Sequence, residues 1–170
     1  MKRVLPLNIQ FFAKFTGNTP TNAIKFKVNK KGRSGEESDK VIVKDAESLG
    51  MSFDGNVEEW NPMDQDGWVN RMKTSNSITI SMGGKRNYGD PGNDYVASCA
   101  YEIGQKADSI FYIEFPDGAT LEMPCVIVVS SMGGDSTGLD ALEWEAQSSG
   151  KPTYTPAASG GVGASVIKEK

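Results

Sequence analysis

Apolar and polar positions alternate with a period of two along much of this chain, most clearly over residues 109–131, SIFYIEFPDGATLEMPCVIVVSS. Phe111, Ile113 and Phe115 share one face of a first strand, and Leu121, Met123, Cys125, Ile127 and Val129 one face of a second. Pro116-Asp117-Gly118 between them fixes one φ, offers a side chain to the local backbone and ends on a residue free to take positive φ. This is the strongest hairpin signal in the sequence. The same alternation predicts strands at 23–28 (Ile24, Phe26 and Val28 inward, Lys25 and Lys27 outward), 41–43, 46–53 (Leu49, Met51, Phe53), 57–60, 68–72, 77–82 (Ile78, Ile80, Met82) and 141–147 (Leu142, Trp144, Ala146).

One stretch, residues 90–107, follows the helical period instead. Val96, Cys99, Ala100, Ile103 and Ala107 recur at i, i+3, i+4, i+7 and i+11. Asp90 before Pro91 supplies an N-cap and a first-turn proline, and Gly104 ends or frays the segment. Residues 29–40, NKKGRSGEESDK, contain no apolar side chain and read as a solvated loop, or alternatively as a contact loop to another subunit. Residues 61–67 and 132–138 are turn-rich connectors.

The two ends differ from this middle. MKRVLPLNIQFFAKF has a basic start and an apolar run, as a signal peptide does. Pro6, Asn8 and Gln10 interrupt the run and no small-residue cleavage site follows, so it reads as an amphipathic arm in need of a partner surface. From Ser148 onward the chain is rich in Gly, Pro, Ser and Ala and cannot build a core. The expected organisation is an arm (1–21), one β domain (22–149) and a tail (150–170). The expected fold is mainly β: a β-sandwich or partly closed barrel with one flanking helix and extended terminal arms.

Composition narrows the chemistry. There is no His among 170 residues, which removes the commonest general base and metal ligand. Two cysteines permit no Cys-rich zinc site, and Cys99 and Cys125 sit at apolar positions, as buried thiols of a reducing compartment. A net charge of −4 argues against a surface that binds nucleic acid by neutralising phosphates. Asp64-Gln65-Asp66-Gly67 fails the calcium-loop template, whose first and last ligand positions fall on Pro62 and Lys73. Gly83-Gly84-Lys85 lacks the glycine spacing and following hydroxyl of a phosphate loop. Glu58-Glu59 and Glu143/Glu145 are paired carboxylates, read as solvated strand faces rather than an acid–base pair. Trp60, Trp68 and Trp144 suit packing or interfaces better than a sugar platform. No catalytic residue, cofactor or metal is indicated, and no membrane span.

The order EEWNPMDQDGW, SITISMGGKRNYGDPGNDY, FYIEFPDGATLE and GDSTGLDALEWEAQSSGKPTYT, covering roughly residues 46–155, resembles the tail tube (major tail) proteins of long-tailed bacteriophages of Gram-positive hosts. LNIQFFA at the start is also common among structural proteins of such phages. The resemblance implies subunits that form six-fold rings stacked into a hollow, non-contractile tube through which DNA passes without specific binding. It implies a virion location after assembly in the host cytoplasm. Its implied partners are further copies of the chain, the tape measure protein, the tail terminator and the distal tail protein. Ring-to-ring contacts would fall on Phe11 and Phe12 of the arm, Lys31, Arg33, Glu36 and Glu37 of one loop, and Asn61, Met63 and Asp64 of another. Glu114, Glu122, Glu143 and Glu145 are the candidates for a lumen-facing surface. A tube from a contractile tail or phage-like bacteriocin particle, or a secreted β-sandwich binding or adhesion module, are the alternative readings.

Overall fold

The computed structural model describes residues 17–157. Ten strands carry the fold: β1 (Lys25–Asn29), β2 (Lys40–Val41), β3 (Ala46–Asp54), β4 (Val57–Trp60), β5 (Asn70–Lys73), β6 (Ser77–Lys85), β7 (Asp108–Glu114), β8 (Thr120–Gly133), β9 (Ala141–Ser148) and β10 (Thr153–Thr155). One helix, α1 (Pro91–Ser98), lies between β6 and β7. Eight strands form a single antiparallel sheet in the order β2-β1-β7-β8-β9-β6-β3, with β10 added beside β8. The sheet curls into a half-barrel, so of the two expected architectures the partly closed barrel is the one adopted. β4 and β5 form a separate two-stranded hairpin.

The alternation seen in sequence becomes the core. Phe111 and Ile113 on β7, Leu121, Met123, Cys125 and Ile127 on β8, Leu142, Trp144 and Ala146 on β9, and Ile78, Ile80 and Met82 on β6 are all buried. Cross-strand register aligns them, with Phe111 opposite Met123, Ile127 opposite Ala146, and Met82 opposite Trp144. Phe111 lies at the centre, stacked on Phe26 at 6.0 Å and tilted against Trp144 at 5.8 Å. The β7–β8 turn works as its residues indicate: the Asp117 carboxylate accepts from the Ala119 N–H at 2.9 Å, and Gly118 adopts φ 87°.

The helix is shorter than its periodicity predicts. It spans eight residues, followed by 3₁₀ turns at Cys99–Tyr101 and Gly104–Ala107. Glu102 and Ile103 between those turns are extended, and Gly104 takes φ 70°. That reversal throws Ala100 and Ile103 into solvent, while Val96, Cys99 and Ala107 remain buried. The helix start is as expected: Asp90 accepts from the Asn93 N–H at 3.0 Å, with Pro91 at N1. Asn93, itself buried, ties α1 to the turn before β3 and to the end of β6 by donating to the Lys44 and Lys85 carbonyls.

Four further expectations are corrected. Phe53 keeps its alternation phase but is exposed, because β3 is an edge strand whose end extends past the core. The predicted strand over 41–43 shrinks to Lys40–Val41, although Val43 is buried. The tail is not wholly without structure, since Thr153–Thr155 pairs with residues 120–122 of β8. The stretch over residues 29–40 is not merely solvated: Asn29, which ends β1, and Asp39 are buried.

Candidate assembly surfaces

The four glutamates singled out from sequence share one face of the sheet. Register places Glu114 beside Thr120 and Tyr112 beside Glu122, so both glutamates lie on the face opposite Phe111 and Ile113. Glu145 pairs with Ser81 and Val128, and Glu143 with Gly83 and Ser131, which puts them on that same face. A bulge between Val129 and Ser131 shifts the alternation of β8 by one residue, so that Ser131 lies beside Glu143 and Met132 beside Leu142. Glu114 meets Lys25 at 3.6 Å, and Glu145 accepts from the Gln147 amide at 3.1 Å. Alongside lie Ser81 and Thr79 on β6 and Ser48, Gly50 and Ser52 on β3, all small or hydroxylated. The result is a polar, hydroxyl-rich surface backed by a rigid core, on which the four glutamates share the face with Lys25 and Lys27, and the Lys40 ammonium lies over Tyr112.

The loop over residues 29–40 borders this face and is clamped onto the domain. The Arg33 guanidinium grips the Asp108 carboxylate (3.0 and 3.2 Å) and donates to the Ser149 hydroxyl at 2.7 Å. Lys31 pairs with Asp39 at 3.0 Å, and this hydrogen-bonded ammonium holds the Asp39 carboxyl below the usual range against the opposing effect of burial. Glu36 and Asp39 form a reciprocal capping box, and Glu37 pairs with Lys40. The Lys40 ammonium sits 3.7 Å from the centre of the Tyr112 ring. Lys31, Arg33, Glu36 and Glu37 are therefore brought together, each engaged within its own chain.

The β4–β5 hairpin is the opposite case. All four residues of β4 and three of the four in β5 are exposed. One face carries Val57, Glu59, Arg71 and Lys73, where Glu59 and Arg71 form a 2.6 Å ion pair. The other carries Glu58, Trp60, Met72 and Asn70. Trp68 is 77% exposed, and Asn61, Met63 and Asp64 stand at the tip, where Asp66 and Gly67 turn the chain with positive φ. Trp144 is in the core, whereas Trp60 and Trp68 are on this hairpin. A lone two-stranded hairpin is marginal in water, and this one leaves much apolar surface open. Phe11 and Phe12 lie outside the described residues.

The thiols have no reactive setting. Burial pushes Cys99 up to about 11 and Cys125 up to about 12, so neither is a thiolate near neutrality. Burial likewise raises Tyr95 to about 12; its hydroxyl donates to the Asp108 carbonyl at 2.9 Å. Among the described residues no three His, Cys, Asp or Glu side chains gather as a metal site, and no helix is long and apolar enough to cross a membrane.

No family model matches this sequence, and no curated protein matches it. The fold does recur in solved structures. A chain from the tail of an empty gene transfer agent particle, determined by helical refinement with C6 symmetry, has a TM-score of 0.64 at 16% identity, over 82% of this chain and 100% of that one. A chain from the virion of a native gene transfer agent particle gives 0.61 at 16% identity with the same coverage. At this identity the likeness is one of fold: the mainly β half-barrel with one short helix is shared with these tail particle chains.

Proposed function

We propose that this chain is a structural protein of a phage-type tail, and that its copies assemble into stacked six-fold rings around a lumen that passes DNA. The observation that carries the reading is the β4–β5 hairpin, which presents Trp60, Met63, Trp68 and Met72 to solvent on an element that packs little against its own domain. Burying side chains of this size gains roughly 1.5–3 kcal/mol each, so a partner surface is the physical use for them. The fold shared with chains of tail particles supports another copy of the chain as that partner. In this reading Asn61, Met63 and Asp64 at the hairpin tip and Phe11 and Phe12 in the arm make ring-to-ring contacts. The clamped loop carrying Lys31, Arg33, Glu36 and Glu37 offers a preformed surface beside them. The face with Glu114, Glu122, Glu143 and Glu145 lines the lumen, where like charge keeps phosphates from adhering.

The finer features rest on the sequence resemblance: a non-contractile tail, a Gram-positive host, and tape measure, tail terminator and distal tail proteins as partners. No catalytic step or cofactor is assigned. The chain would be located in the virion after assembly in the bacterial cytoplasm.

The test is negative-stain electron microscopy of the purified chain at rising concentration. Rings or tubes are expected. Trp60→Ala/Trp68→Ala should leave the circular dichroism spectrum and Tm of the subunit near those of the parent yet abolish the assemblies. A chain that stays monomeric at all concentrations, or a double variant that assembles normally, sinks the reading.

A further inference from the structure

β8 is twice as long as β7, and the excess leaves half of it without a neighbour on one side. β7 pairs with β8 only as far as Val126, whereas β9 pairs with it through Gly133. Over residues 127–133 the ladder to β9 is the only strand pairing, and no other backbone hydrogen bond reaches this stretch among the described residues. A trough runs along that free edge. A cavity of about 550 Å³ lies between residues 126–129 and the turns carrying Ala100 and Ile103. A second, of about 510 Å³, lies between Met132 and Gly133 on one side and Ser98 and Tyr101 on the other. Exposed apolar side chains stand along the trough among its charged groups: Ile103 is 90% exposed and Tyr101 82%, with Val128 and Met132 on opposite faces of the strand.

The chain contains a segment that matches this edge. In residues 5–11, LPLNIQF, Leu5, Leu7, Ile9 and Phe11 alternate with Pro6, Asn8 and Gln10. That is a strand pattern with one apolar face, seven residues long, as is the free edge of β8. Pro6 stands near its beginning, where a missing N–H is tolerated. The charges also match. The two cavities are lined by Arg33 and Arg86 against four carboxylates, while residues 1–16 carry Lys2, Arg3 and Lys14 and no carboxylate.

Reach favours a segment from another copy. Thr19 and Pro20 lie against Phe115, Pro116 and Asp117, at the β7–β8 turn. The free edge begins seven residues up β8 from Thr120, roughly 23 Å away. The eight steps from Phe11 to Thr19 span at most about 29 Å, so within one chain only an almost fully extended arm meets the start of the edge. The arm leaves one end of the half-barrel and the edge opens at the other, a head-to-tail arrangement.

Resting on the reading of a self-assembling subunit, we propose that residues 5–11 of one copy add as a strand to the free edge of β8 (127–133) in the next copy, with Leu5, Leu7, Ile9 and Phe11 filling the trough beside Tyr101 and Ile103. Main-chain hydrogen bonds supply the affinity, and the alternate side chains set the register.

The test uses full-length chains. Differently tagged Ile9→Cys and Ile103→Cys variants are mixed, allowed to assemble and treated with a short bis-maleimide; Cys99 and Cys125 are buried and stay silent. A cross-linked dimer bearing both tags is expected. In parallel, Ile9→Asp should raise the concentration needed for assembly at least tenfold, whereas Asn8→Asp, on the other face, should change it less than twofold. Tubes that form without the mixed dimer overturn the strand addition and leave the tube reading standing, as does a cross-link found only within a single doubly substituted chain. Absence of any assembly overturns both.

Discussion

Asp90 shows how a single polar residue holds together parts of the fold that are distant in sequence. Its carboxylate is buried, caps α1 through the Asn93 N–H, accepts from the Lys44 N–H at 3.3 Å, and meets the Lys44 ammonium at 3.6 Å. Burial by itself disfavours the charge, but these donors outweigh it and hold the carboxyl below its ordinary value of 3.8. The folded state therefore binds the proton less readily than the unfolded chain. Stability from this group is complete above the unfolded value and is lost as pH falls through the lower folded value. Asp90→Ala should cost about 2 kcal/mol at pH 7, from the cap and the stranded Lys44 N–H. Asp90→Asn, which keeps an acceptor, should cost less. In urea melts at pH 7 and pH 3, the gap between parent and Asp90→Ala should narrow at pH 3; an unchanged gap would show that the charge contributes nothing. A glycine answers to a different constraint. A methyl group at Gly84 would collide with the Asp45 carbonyl and the Ala46 Cα, so close strand approach, rather than phosphate binding, accounts for this glycine beside Lys85.

At the scale of elements, β10 is the strand to test. Thr153, Tyr154 and Thr155 pair with Glu122, Leu121 and Thr120. A chain ended after Ala157 keeps this strand, and one ended after Ser149 loses it. The second should be less stable than the first by about 1 kcal/mol, a Tm drop of about 2–4 °C for a domain of this size. Identical melting curves would show that the pairing contributes nothing in the isolated subunit. Strands with long alternation were legible in sequence, because half-burial writes a period of two into the residues themselves. β10 was not: three residues between Pro152 and Pro156 are too few to show a period. The helix was overextended because Val96, Cys99 and Ala107 are buried at helical spacing, although two 3₁₀ turns and the reversal at Gly104 carry the last of them. Asn29 and Asp39 were hidden for another reason. A polar residue is buried only when its partners are in place, and those partners are fixed by the folded loop. For the candidate surfaces, alternation gave the outward phase of each glutamate strand by strand. That all four share one face required the register, which only the structure supplies. The exposure of Trp60 and Trp68 was equally illegible, since their residue type is the same as that of buried Trp144.

At the scale of the whole molecule, the fold has a polar sheet face and exposed apolar side chains that lie elsewhere, on the β4–β5 hairpin and along the β8 edge. These surfaces are unlike one another, so in the proposed assembly pairing between them is heterologous and propagates instead of closing into a two-fold dimer. This separation allows the lumen assignment to be tested without disturbing assembly. Glu122→Lys/Glu145→Lys replaces two negative charges with two positive ones on the proposed luminal face, well away from the hairpin tip, and leaves the Lys25–Glu114 pair intact. Tubes of the parent chain should show little affinity for DNA at moderate salt, because acidic groups within a Debye length of about 10 Å repel phosphates. Tubes of the variant should form at the same protein concentration but retain short double-stranded DNA on sedimentation. That retention should fall steeply as salt rises from 50 to 200 mM, the signature of counterion release. If the variant tubes form and hold no more DNA than the parent, with ends open to the fragment, these glutamates do not face the lumen, and the opposite, outer wall is where they belong.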